Sequence, residues 1–241
     1  MEAFNARSNT IEKLMIHQKQ SPVVKATGLK KSFGDRILFE NVNLQVERSQ
    51  LVALLGPSGA GKSTLLNCLE GIEDIDDGDI EIAGKPIVTL EEPELARLRS
   101  ESIGTVFQFF HLLPTLTAFE NVELSLMLKG IGVKKRKRRV EELLDQLRID
   151  HRGNALPAEL SGGEMQRVAI ARAIAHEPSV IFADEPTGNL DSKTGAEAME
   201  MLTKLCAEIG AAMLVVTHSE AAASYCSVRY NLIDGELREE S

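Results

Sequence analysis

No stretch of the sequence approaches the roughly 18 to 20 consecutive apolar residues that span a bilayer. The longer apolar runs, such as Val180–Ala183 and Ala211–Val216, have the length of core strands. The N-terminus carries no continuous apolar segment of the kind that directs secretion, so no secretory signal is expected. Cysteine is scarce. Cys68, Cys206 and Cys226 are scattered without metal-ligand spacing and read as reduced, buried thiols of a cytosolic protein. Positive charge is in deficit: 27 Lys and Arg stand against 36 Asp and Glu, a formal net charge of −9. That balance argues against a protein that mainly binds nucleic acid, and no nucleic-acid partner is expected. Internal repeats and low-complexity linkers are also missing.

What is present fits one large domain with its own core. The chain has 241 residues, 43% hydrophobic and 26% charged. Residues 1–21 read as a polar tail with a short apolar cluster at Ile11, Leu14, Met15 and Ile16. Residues 22–241 read as a single domain with a helical subdomain inserted at about 109–172. Strands are expected at Val23–Ala26, Val42–Val46 and Leu51–Leu55, the last buried on both faces. Asp77-Gly78-Asp79 reads as a turn into a strand at Ile80–Ala83. Residues from about 117 to 150 read as helices. A helix at Gly163–Ala175 leads to strand Val180–Phe182. A helix at Ser192–Ile209, closed by Gly210, leads to strand Met213–Val216. Strands alternating with helices predict an α/β fold around a parallel sheet.

Gly56-Pro57-Ser58-Gly59-Ala60-Gly61-Lys62-Ser63 matches G-x-x-x-x-G-K-[ST]. A buried strand precedes it and a helix follows. The glycines allow a tight turn that points successive N–H groups at phosphate oxygens, and the helix adds the positive end of its dipole. The expected ligand is ATP with Mg²⁺. Lys62 is placed to neutralise the β- and γ-phosphates, Ser63 to ligate Mg²⁺, and Thr64 to contact the α-phosphate.

Val180-Ile181-Phe182-Ala183 ends in Asp184-Glu185. Two carboxylates beyond a buried strand are costly unless they serve a ligand or lie at the sheet edge. Downstream of a phosphate loop, Asp184 is expected to hold Mg²⁺ and Glu185 to polarise the attacking water as general base.

Leu160-Ser161-Gly162-Gly163-Glu164-Met165-Gln166-Arg167 resembles the signature motif of ATP-binding-cassette proteins. Ser161 also sits where an N-cap belongs, and Ser161-x-x-Glu164 fits a capping box. The two readings are compatible, because a capped helix with glycines in its first turn presents bare N–H groups to a phosphate. The resemblance covers about Val23 to Leu237. It implies that Ser161, Gly162 and Gly163 face the ATP held by the other subunit. It further implies that Gln108, after Thr105-Val106-Phe107, is the glutamine that contacts Mg²⁺ and water. Asn189-Leu190-Asp191-Ser192 matches the loop that crosses the dimer interface, although Asp191 equally fits an N-cap. His218 matches the switch histidine at the γ-phosphate. Phe33 matches the aromatic that stacks on adenine, where the ordinary reading of a Phe is burial.

The fold implied is the P-loop ATP-binding-cassette ATPase, a mostly parallel core sheet with an antiparallel β subdomain and a helical insert. The partners implied are a second copy of the chain, or a homologous ATPase, and separate integral membrane permease subunits. The expected location is the cytoplasmic face of the inner membrane. The sequence runs only a few residues past Asp234-Gly235-Glu236, so no C-terminal regulatory domain is expected. Phe107–Ala118 and Pro186–Asp191 resemble the lipoprotein-release and macrolide-export group, whose members often drive mechanical transmission to the periplasm. The alternatives are a cell-division or signalling ATPase that regulates a membrane partner, and a soluble iron–sulfur-assembly ATPase. Lys134-Lys135-Arg136-Lys137-Arg138-Arg139 reads as a solvated helix start, offset by Glu141 and Glu142, or as a contact for anionic lipid or acidic loops.

Overall fold

The computed structural model describes residues 21–240. Residues 1–20, most of the expected tail, lie outside the described residues.

A four-stranded sheet, in the order β2-β1-β4-β5, comes first. It is built from β1 (Val24–Phe33), β2 (Arg36–Val46), β4 (Asp77–Ile82) and β5 (Lys85–Pro86), all antiparallel. The first two strands are much longer than expected. They carry polar residues and register shifts between Ala26 and Leu29 that blur the period-two pattern. Asp77-Gly78-Asp79 is the beginning of β4, where a turn was expected. Gly78 has φ 101°, and a Cβ there would lie 2.7 Å from the carbonyl oxygens of Thr27 and Gly28. The turn-like residues therefore mark a close crossing of two backbones inside a sheet.

The second sheet has six strands in the order β10-β9-β3-β8-β7-β6. These are β3 (Leu51–Leu55), β6 (Ile103–Val106), β7 (Val180–Asp184), β8 (Ala212–Val216), β9 (Val228–Ile233) and β10 (Glu236–Glu240). Only β10 runs antiparallel to its neighbour. Residues Leu54, Val216 and Asp184 stand side by side, and Val106 stands opposite Ala183. The carboxyl ends of four adjacent strands are thus level, and the loops beyond them form one rim. In open parallel sheets, ligands bind outside this end.

The helices are α1 (Lys62–Leu69), α2 (Glu92–Ser102), α3 (Ala118–Leu128), α4 (Val133–Gln146), α5 (Gly162–Ile174), α6 (Ser192–Ile209) and α7 (Glu220–Ala223). Alternate residues of the core strands face two layers. Ala53, Leu55, Ile181, Ala183, Met213 and Val215 pack against helices α3 to α6. Val52, Leu54, Val180, Phe182, Leu214 and Val216 pack against α1 and the antiparallel sheet. The helical segment around residues 109–172 thus shares its core with one face of the parallel sheet. Of the cysteines, Cys68 and Cys206 are buried, whereas Cys226 is half-buried, less than expected.

Several helix ends follow directly from sequence chemistry. Ser161 Oγ accepts from the Glu164 N–H, and Glu164 accepts from the Ser161 N–H at 2.7 Å, closing the expected box. Gly210 takes φ 68° after α6. Its N–H donates to the Ala207 carbonyl and that of Ala211 donates to the Cys206 carbonyl, the paired bonds of a Schellman end. The basic run opens α4 and is only partly solvated. Arg136 pairs with Glu123 at 3.0 Å, while Arg139 donates to the Ala175 carbonyl at the end of α5. Lys137 and Arg138 pair with Glu141 and Glu142, as expected. A cation at the carboxyl end of a helix also offsets its dipole.

Candidate functional site

The loop Gly56–Gly61 joins β3 to α1. Two of its glycines are required by geometry. Gly56 has φ 143°, and a Cβ on it would lie 2.3 Å from the Leu232 carbonyl oxygen. Gly61 has φ 98°, and a Cβ on it would lie 2.7 Å from Leu38 Cγ. A side chain at either position would force the loop away from the sheet. Pro57, Ser58 and Gly59 are exposed, Ala60 half-exposed, and Ser63 and Thr64 open the first turn of α1. Lys62 is buried, and its Nζ folds over the loop to the carbonyls of Gly56 at 2.8 Å and Pro57 at 3.0 Å. An ammonium bonded to its own loop has a position for phosphate oxygens to take over.

Asp184 ends β7, two strands away from the loop's own strand, with β8 between. Ser63 Oγ donates to Asp184 Oδ1 at 3.1 Å. Burial raises the Asp184 pKa, and the neighbouring Glu185 adds to the rise, while the Ser63 bond and Lys62 oppose it. A carboxyl in that setting gains by receiving a cation. The hydroxyl and carboxylate suit Mg²⁺, a hard ion that takes few protein oxygens and keeps water. Among the described residues no cluster of three or more His, Cys, Asp or Glu forms another metal site.

Glu185 is a non-glycine residue in the left-handed region, φ 47°. Its N–H donates to the Val216 carbonyl at 2.9 Å, and its own carbonyl accepts from Gly188 at 2.9 Å. Strain held by fixed neighbours is typical of functional positions. The side chain meets His218, with Nδ1 2.7 Å from Oε1. His218 follows β8, so the pair comes from adjacent strands. Gln108 follows β6 on the other side of β7. Its carbonyl accepts from Asn189 at 2.7 Å, and its side chain lies against Gly188. The phosphate loop, His218, Asp184 with Glu185, and Gln108 are therefore brought together in strand order β3, β8, β7, β6.

Phe33 and the Ser161–Gly163 group lie elsewhere, whereas Asp191 is shared, lining one cavity with Glu185 and His218 and another with Ser161. Phe33 ends β1 and is 54% exposed, so the ordinary buried reading does not hold. Lys31 Nζ lies 4.9 Å from its ring centroid. The hairpin that carries it continues into β2, whose Leu38 lies against Gly61. Asp191 caps α6, accepting from the N–H groups of Lys193 and Thr194 at 3.1 Å each. Ser161, Gly162 and Gly163 line a separate open cavity of about 540 Å³ together with Asn189 and Asp191, and no residue of the phosphate loop lines it. The N–H groups of Gly162 and Gly163, at the start of α5, have no partner within the helix.

Sequence reasoning missed Glu70 and Arg172. Glu70 is 3% exposed and accepts from Thr105 Oγ1 at 2.8 Å. Arg172 donates to the carbonyls of Phe110 and His111. The available signal was a charged residue set against an apolar run, Glu70 directly after Leu65–Leu69 and Arg172 within Val168–Ile174.

Comparison with known proteins identifies the family. A family model described as "ABC transporter" matches residues 39–188. The "uncharacterized ABC transporter ATP-binding protein YbbA" of Escherichia coli (strain K12) is 43% identical over 91% of this chain and 98% of that protein. A "lipoprotein-releasing system ATP-binding protein LolD" of Alcanivorax borkumensis is 42% identical over 90% of this chain and 97% of its own length. A solved structure of MJ0796, described as a dimeric ABC transporter cassette bound to ADP and Pi after hydrolysis, superposes with TM-score 0.83. It is 41% identical and covers 90% of this chain and 98% of its own. The chain belongs to the ABC transporter ATP-binding family, and it is the nucleotide-binding subunit that hydrolyses ATP in such a transporter.

Proposed function

We propose that this chain works as a pair, each copy completing the nucleotide site of the other, and that the pair drives export or periplasm-directed mechanical transmission through separate membrane subunits. One observation carries the first half. The signature residues Ser161–Gly163 line a cavity without any phosphate-loop residue, so the two halves of the expected site face different spaces within one chain. A second copy in rotational symmetry brings each half to its complement. The dimeric state described for MJ0796 supports the same arrangement.

Within the pair, Phe33 stacks on adenine, and Gly56–Thr64 hold the phosphates. Bound Mg²⁺, held by Ser63 and Asp184 with Gln108 beside them, would neutralise charge on the phosphate oxygens. Glu185 accepts a proton from the attacking water, and His218 holds the Glu185 carboxylate in position at 2.7 Å. Lys62 leaves its carbonyl partners to meet charge on the transferred group.

The second half rests on surface chemistry and on relatives. A groove of about 560 Å³ runs between α2 and α3, lined by Ala96, Arg99, Ile103, Ser125, Leu128 and His176. Leu128 in it is 69% exposed, an apolar group suited to a docking helix. Among the described residues no helix is long and apolar enough to cross a membrane. A partner that does so supplies the attachment, and the working place is the cytoplasmic face of the inner membrane. The relative named as part of a lipoprotein-releasing system supports placement in that branch.

The test is size-exclusion chromatography of Glu185→Gln beside wild type, each with Mg·ATP. A dimer in the variant alone is expected, because closure proceeds and hydrolysis does not. A variant that binds ATP, has lost hydrolysis and remains monomeric overturns the paired site for the isolated chain. A variant with wild-type hydrolysis overturns the role of Glu185.

A further inference from the structure

Two residues after Gln108 the chain does something expensive. Phe110 and His111 both stand in the left-handed region, φ 59° and 44°, with no glycine to ease it. The turn is tight: the His111 N–H reaches the Phe109 carbonyl at 2.6 Å, and the rings of Phe107 and His111 lie 4.5 Å apart. Left-handed conformation in consecutive non-glycine residues persists only where surroundings over-determine it. Here the determinant is visible. Arg172, in the last turn of α5, donates Nη1 to the His111 carbonyl at 2.5 Å and Nη2 to the Phe110 carbonyl at 2.7 Å. A guanidinium presents its donors as a rigid planar fork, so two adjacent carbonyls are fixed together. Among the described residues both side-chain hydrogen bonds of Arg172 go to backbone carbonyls. Its charge is directed to these two carbonyls.

The same turn also reaches the other end of α5. A Cβ on Gly162 would lie 4.0 Å from the tip of the Phe110 ring and 3.6 Å from Leu190. The segment following Gln108 therefore reaches both ends of one helix: its carbonyls are held by Arg172 near the C-terminus, and its Phe110 ring lies near the signature glycine at the N-terminus. Asn189, from the loop that contains Leu190, holds the Gln108 carbonyl at 2.7 Å. We infer that Arg172 is a positioning residue for ATP hydrolysis: it locks the Phe110–His111 turn and thereby sets Gln108 and the signature end of α5 in one rigid relation. This rests on the proposed role of Gln108 at the reacting phosphate. The donors of Arg172 go to the Phe110 and His111 carbonyls and not to Phe33 or the phosphate loop, so its contribution belongs to turnover and not to ATP capture.

The experiment is steady-state ATPase kinetics on the full chain. Arg172→Met keeps the stem and removes both donors. The expected result is a fall in kcat of about tenfold or more, with KM for ATP within about twofold of wild type. Arg172→Lys restores charge without the fork, and an intermediate kcat is expected. Adding His111→Gly to Arg172→Met removes the backbone strain that the fork holds, and partial recovery of kcat is expected. A kcat unchanged in Arg172→Met overturns the inference. So does a loss that neither Lys nor His111→Gly relieves, or one in which KM rises in proportion. Gln108→Ala measured alongside separates the two claims. If it leaves kcat intact, the role of Gln108 fails; if it lowers kcat while Arg172→Met does not, the clamp fails.

Discussion

Glu70 caps the end of α1, and its carboxyl accepts one hydrogen bond, from Thr105. Burial pushes its pKa from the ordinary 4.5 up to about 7, with the Asp184 charge adding to the rise and the Thr105 bond opposing it. A carboxyl that holds its proton more firmly in the fold than in the unfolded chain stabilises the fold below about pH 4.5. That contribution is lost as pH rises through about 7. The difference is on the order of 3 kcal/mol. Glu70→Gln, which is neutral at every pH, is therefore expected to match wild type at pH 5 and to melt higher at pH 8.5, measured without nucleotide or Mg²⁺. Equal pH dependence in both proteins would remove Glu70 from the account. The sequence did not disclose this group, and the reason is physical. Gly56–Ser63, Asp184 and Glu185 are legible because their chemistry demands residue types at fixed local spacing. Glu70 and Arg172 act on partners 35 and 61 to 62 residues away, which only the fold brings near.

At the scale of elements, caps were legible and edges were not. Ser161 with Glu164, Asp191 and Gly210 mark the ends of α5 and α6 because each satisfies orphan backbone groups by local bonds. Helix α2 escaped notice because its apolar residues, Leu95, Ala96 and Leu98, fall within one turn among charged neighbours, and Leu98 alone is buried. Strands β1 and β2 were read short because register shifts break their alternation. Helix α3 shows a cap made from within. Asn121, fully buried, donates Nδ2 to the Leu116 carbonyl at 2.9 Å and the Thr117 carbonyl at 3.0 Å, while its Oδ1 accepts from the Leu113 N–H at 2.8 Å. One side chain thus ties the loop after Gln108 to the helix that follows. Asn121→Ala leaves the Leu113 N–H without that acceptor, and a loss of about 2–3 kcal/mol in urea unfolding is expected. Hydrogen exchange at the Leu113 amide should accelerate more than in α6. Uniform acceleration across both would mean that the bonds only support global stability.

For the whole molecule, the level carboxyl ends of β3, β8, β7 and β6 explain why residues scattered from Gly56 to His218 form one rim. The signature end of α5 faces another space, and the closed pair that we propose would unite them. This has a thermodynamic consequence that activity assays do not share. A ligand that binds only the folded state stabilises it by mass action, about 2.7 kcal/mol at a hundredfold excess over Kd. For a domain of this size that corresponds to a rise in Tm of roughly 5–10 °C. If ATP is held between two copies, folding is linked to association, and Tm must also rise with protein concentration. Glu185→Gln with Mg·ATP is therefore expected to melt higher at tenfold greater protein concentration, whereas the nucleotide-free protein melts at one temperature across the same range. A nucleotide-induced rise that is independent of protein concentration would place the whole of the bound ATP within one chain. Ser161, Gly162 and Gly163 would then have no part in holding it.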